Sequence, residues 1–152
     1  MLRMLKFSLF GFLVGASAAA AAQVPPPQIA YGTLRQAPDG TSGLELNAGS
    51  YHLSQQQSLC WVAENIPAAP QQQIVMESFH TPAGVRFSQS SVWVVSNNDN
   101  SHHVITSPKT PNANRQNHTC WRFDQSDPFG DYRLQVRIGD IEFPPYSFRW
   151  QP

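Results

Sequence analysis

Two adjacent histidines close the most polar stretch of the chain, Asn97-Asn-Asp-Asn-Ser-His-His103. Imidazoles beside a carboxylate are ligand types that suit copper or zinc, so His102 and His103 are the candidate metal ligands. Spacing works against them. Neighbouring side chains on a strand point to opposite faces, so both rings reach one ion only from a loop, with Met76 or His118 completing the set. A solvated hairpin tip is the simpler reading, and no cofactor is expected.

Nucleophilic catalysis needs a serine or thiolate beside a base that is itself oriented. Serines, histidines and acids are plentiful, yet none stands in a G-x-S-x-G or comparable frame, and glycine-rich phosphate loops are absent from the sequence. No residue is put forward as catalytic. Asp124, Asp127 and Asp131 flank one turn, where carboxylates commonly cap backbone donors. The aromatic set of Trp61, Phe79, Phe87, Trp93, Trp121, Phe123, Tyr132, Phe148 and Trp150 is large enough for a sugar or peptide platform. A small β domain needs most of these rings inside, and Trp150, near the terminus, is the first candidate for exposure.

The start of the chain bears on the compartment. Arg3 and Lys6 precede the uncharged run Phe7–Ala16, and small residues lead to Ala20-Ala-Ala22 before Gln23. This pattern is that of a secretory signal peptide over residues 1–22, too short in its apolar part to span a bilayer. The expected product is secreted or periplasmic, without lasting membrane insertion. It keeps eight basic against ten acidic groups, a net charge of −2, which argues against electrostatic capture of nucleic acid. About 130 residues suffice for one domain with its own core.

Cys60 and Cys120 are the only cysteines. An even count in an exported chain favours a disulfide, which on the chain-entropy model stabilises by about 3–4 kcal/mol for a loop of this length. Free thiols acting as ligands or nucleophile suit a C-x-x-C spacing that the chain lacks. Each cysteine is followed by a tryptophan, Trp61 or Trp121. If the indoles enter the core, the sulfurs lie on the outer face; the opposite phase would expose both tryptophans as a binding surface.

No long window repeats apolar residues at helical spacing, whereas short runs rich in Val, Ile, Phe, Tyr and Trp alternate with turn-forming clusters. After an extended proline-rich leader at residues 23–28, strands are expected at 29–34, 43–46, 58–63, 73–80, 85–95, 103–106, 118–123, 132–138 and 141–150 within a single domain over residues 29–152. Punctuation of this kind means an all-β sandwich or barrel. In Tyr132-Arg-Leu-Gln-Val-Arg-Ile138 apolar and polar residues alternate strictly, and Gly139-Asp140 allows a tight hairpin into the last strand. There the apolar phase slips at Pro144-Pro145, which predicts an edge strand with a bulge.

The segment Asp127-Pro-Phe-Gly-Asp-Tyr-Arg-Leu-Gln-Val136 resembles the turn-and-strand of immunoglobulin-like sandwiches, in which an acid-and-glycine turn leads into Y-x-L-x-V. The resemblance implies that Tyr132 is a corner tyrosine whose hydroxyl bonds backbone just upstream. Cys120 precedes Tyr132 instead of following it by two residues, and no tryptophan lies a dozen residues after Cys60, so the antibody type is excluded. The expected fold is therefore a single antiparallel, immunoglobulin-like β-sandwich with one disulfide. Such folds host many functions. The expected role is non-enzymatic, the binding of another macromolecule in the cell envelope as inhibitor, immunity factor or accessory protein. A small envelope hydrolase is the alternative, and a copper or zinc carrier the third reading.

Overall fold

The computed structural model describes residues 23–152 except Ala37, Asn47 and residues 69–71. The proposed signal peptide, residues 1–22, lies outside the described residues. Among the described residues there are eleven strands and no helix, hence none long and apolar enough to cross a membrane.

The smaller sheet has the order β2-β1-β4-β8, formed by Ser42–Glu45, Gln28–Gln36, Ser58–Glu64 and Asn117–Arg122. The larger runs β3-β11-β9-β5-β7-β6, formed by Ser50–His52, Tyr146–Gln151, Gly130–Ile138, Gln73–His80, His102–Lys109 and Trp93–Ser96, with β10 (Ile141–Glu142) also paired to β9. All pairings are antiparallel except β11 with β3.

Period-2 patterning explains how the layers meet. Tyr132, Leu134, Val136 and Ile138 on β9 are buried while Arg133 and Arg137 face water, so one side of the central strand packs on the core. Leu59, Trp61 and Ala63 from β4 and Trp121 from β8 supply the opposing layer. Burying each such large side chain is worth roughly 1.5–3 kcal/mol relative to leaving it exposed.

Cys60 and Cys120 form a disulfide, and they are direct register partners on neighbouring strands of the same sheet, with Cα atoms 4.0 Å apart. The bridge thus joins two strands of one layer, on the face away from the core, and does not tie layer to layer as in antibody domains. Both indoles turn inward.

Three strand expectations are corrected. Of the segment 85–95 only Trp93–Ser96 is strand. Before it, Ser88-Gln-Ser-Ser91 offers no apolar alternation and Ser91 has a left-handed backbone (φ 64°), which ends any ladder, although Val85 and Phe87 still pack on the core. The three-residue β3 was not anticipated; its short run is held by β11 and by the bond from Leu53 N to Gln151 O. The last strand breaks at Phe143–Pro145 into β10 and β11, and β11 is internal, not an edge. β3 pairs with it only from Arg149 onward, so the two prolines lie clear of that ladder and their missing donors cost nothing.

Gly32 marks where β1 changes partner, from β4 up to Gly32 to β2 from Thr33. A Cβ there would collide with the Glu45 carbonyl oxygen, so only glycine allows this close approach.

Candidate functional site

The strongest polar constellation lies inside the core. Glu77 sits at an inward position of β5 between Val75 and Phe79, and its Oε1 accepts from Trp61 Nε1 (2.6 Å) and Trp121 Nε1 (2.8 Å). The two indoles that follow the two cysteines therefore converge on one carboxylate of the facing sheet. Burial pushes the Glu77 pKa up, and the hydrogen bonds from Trp121 and Trp61 pull part of the way back. Sequence reading missed Glu77, although a carboxylate at a core phase in Val75-Met-Glu-Ser-Phe79 was the available signal.

His102 and His103 are sent to opposite faces of β7, so they do not meet at one ion. His103 is fully buried. Its Nδ1 lies 2.7 Å from Ser96 Oγ on the facing strand, its Nε2 lies 3.1 Å from the Asn100 carbonyl oxygen, and the Phe87 ring packs edge-on against it. Desolvation lowers its pKa, and the hydrogen bond to the Asn100 carbonyl and the Asp99 charge pull part of the way back. His102 instead stacks on His80 at 4.3 Å between centroids. Desolvation, His102 and Arg133 depress the pKa of His80, in that order. Among the described residues no group of three or more His, Cys, Asp or Glu side chains is arranged to hold a metal.

Asp124 and Asp127 serve their own turn, whereas Asp131 pairs across from β9 to β11. Asp124 Oδ1 accepts from the Ser126 amide (2.7 Å) and hydroxyl (2.6 Å), Asp127 Oδ2 accepts from the Asp124 amide (2.8 Å), and Asp131 pairs with Arg149 (3.1 Å). The Tyr132 hydroxyl donates to the Pro128 carbonyl at 2.7 Å. A shallow cleft of about 590 Å³ opens beside His80, Arg133, Ser147 and Arg149.

The outer face of the larger sheet is ordered in cross-strand rows. One row runs Arg137, Met76, Thr106, Trp93; the next runs Gln135, Ser78, Val104, Val95; the third runs Arg133, His80, His102. Toward β6 this face becomes apolar and stays open: Trp93 is 64% and Val95 70% exposed, with Ile74 also exposed on β5. Trp150 is 1% exposed, which corrects the expectation that it is the tryptophan left outside. It sits on β11 with β9 and β3 on either side, whereas Trp93 has a neighbour on one side only.

Comparison with known proteins agrees with the architecture. The chain is 29% identical to "Uncharacterized protein PM0630" of Pasteurella multocida over 93 residues, 60% of this chain and 58% of that protein, so it spans under two thirds of that relative. Among solved structures it is similar to an immunoglobulin-like protein from Pseudomonas aeruginosa, with a TM-score of 0.51 at 14% identity, covering 88% of this chain and 99% of the other. The fold is immunoglobulin-like, as the Tyr132 segment suggested. The profile of the PM0630 beta sandwich domain matches residues 29–151, and the chain belongs to that family.

Proposed function

We propose that the protein is an exported, non-enzymatic β-sandwich that binds another macromolecule of the cell envelope through the outer face of its larger sheet. The observation that carries this reading is the exposed pair Trp93 and Val95, continuous with Val104, Thr106 and Met76 on the neighbouring strands. Exposed aromatic and branched side chains in one patch favour association, because burying them removes apolar surface from water. The disulfide supports an oxidising compartment. A photo-crosslinking residue at Ile74, on the rim of the patch, tests the reading in intact cells. A discrete adduct that disappears with Trp93→Asp supports it; adducts no different from those of a probe at Leu46, another exposed site, overturn it.

A second reading is favoured by one contact. Ser96 Oγ and His103 Nδ1 lie 2.7 Å apart and the second ring nitrogen faces a carbonyl, which would supply a hydrolase with a nucleophile and an oriented base. Labelling of Ser96 by a fluorophosphonate, lost in His103→Gln, would replace the binding reading with this one. Unlabelled Ser96 leaves the pair as a clamp on the β6–β7 hairpin.

A further inference from the structure

The four sheet edges differ in how they are guarded. β2 carries the Arg35–Glu45 ion pair across to β1, the His118 carbonyl of β8 accepts from Lys109 Nζ, and β3 is three residues long. β6, Trp93-Val-Val-Ser96, contains no proline and no charge, and residues 87–98 around it are uncharged throughout. Charge, proline or brevity is what normally stops an edge from pairing.

The backbone of β6 has one side to offer. Asn97 N donates to His102 O on β7, so by antiparallel alternation Trp93 and Val95 also turn their backbone groups to β7, and Val94 and Ser96 turn theirs outward. Regularly spaced outward N–H and C=O groups are matched by another extended strand. We propose that this strand is β6 of a second copy of the chain, paired antiparallel about a two-fold axis. The neutral edge suits this occupant: a two-fold sets an edge against its own residues, and an uncharged run meets no like charge there.

The pleat then narrows the register. Residues that pair across a sheet share a face, so each even-numbered residue must meet an even-numbered one. Placing Val94 on the axis lets the two Val94 residues exchange both backbone hydrogen bonds. It also sets Trp93 of each copy beside Val95 of the other, covering the two most exposed side chains of this strand. The outer faces of the two copies become one continuous surface. The proposal goes beyond the binding reading above and stands without it.

Sedimentation equilibrium of the exported chain tests the proposal. We expect a concentration-dependent dimer, with the dissociation constant raised about 100-fold by Val94→Pro, which deletes an outward donor and none used by β7. Because Val94→Pro keeps the side chains of Trp93 and Val95, loss of the dimer with retention of the envelope adduct separates the two proposals. Mixing a Trp93→Cys chain with a Val95→Cys chain under mild oxidation checks the register independently of how Val94→Pro folds. Covalent heterodimers should exceed either homodimer about tenfold, as facing positions bridge and diagonal ones do not. A wild-type chain that stays monomeric at millimolar concentration, or cysteine pairs that cross-link without preference, overturns the proposal.

Discussion

Trp61 and Trp93 stand on strands of similar composition, yet one is sealed in the core with its Nε1 bonded to Glu77 and the other is mostly in water. What separates them is first the face each occupies: Trp61 shares the inward phase of Leu59 and Ala63, and Trp93 the outward phase of Val95. β4 lies between β1 and β8, whereas β6 ends its sheet. An inward tryptophan faces an opposing layer that can supply an acceptor, as Trp121 does even from the end strand β8; an outward one on an edge faces a prospective partner.

The largest expected effect breaks this contrast if it fails. Trp61→Ala should cost about 3–5 kcal/mol in reversible denaturant unfolding, since it opens a cavity and removes a donor from a buried carboxylate. At the corner, Tyr132→Phe should cost about 1–3 kcal/mol by stranding the Pro128 carbonyl, while Arg133→Ala, facing water, stays within about 0.5 kcal/mol. Equal effects at 132 and 133 would refute the corner role, as measured by unfolding at matched m-values.

The Glu77 site predicts a pH dependence of definite sign. Its folded pKa lies above its unfolded value, so the folded state holds the proton more tightly. That contribution is fully present below the unfolded carboxylate range and is lost as pH rises through the folded pKa. Lys109 opposes the shift, and Tyr31 is the other titratable group coupled to Glu77. Glu77→Gln keeps an acceptor for both indoles and removes the titration. The stability difference between wild type and this variant should therefore move in the variant's favour from pH 4 to 8; a difference independent of pH would mean that Glu77 is not held as described. The smallest effect sharpens the comparison from the other side. Trp93→Ala should change stability of the monomer by no more than about 0.5 kcal/mol, measured at protein concentrations below self-association.

Local patterning made much of this fold legible. Strict alternation over Tyr132–Ile138 and the Cys-Trp doublets carry their own phase, because strand side chains alternate whatever the partner strand is. Residues 73–80 matched their expected strand without alternating, because a short run rich in apolar residues is bounded by proline-containing segments on either side. Where the pattern was weak or short, as in β3 and in residues 85–92, the alternation alone was insufficient.

Alternation said which residues share a face, and composition and cysteine count said that the faces belong to a bridged all-β domain. Tertiary structure decided strand order, and with it the rest. It placed Cys60 opposite Cys120 within one sheet, brought Trp61 and Trp121 to Glu77, set Ser96 against His103, and left Trp93 at an edge while enclosing Trp150. Apart from Ser96 and His103, which meet within one hairpin, these contacts join residues 16 to 60 positions apart, chosen by the packing of the whole core, and no local period encodes them.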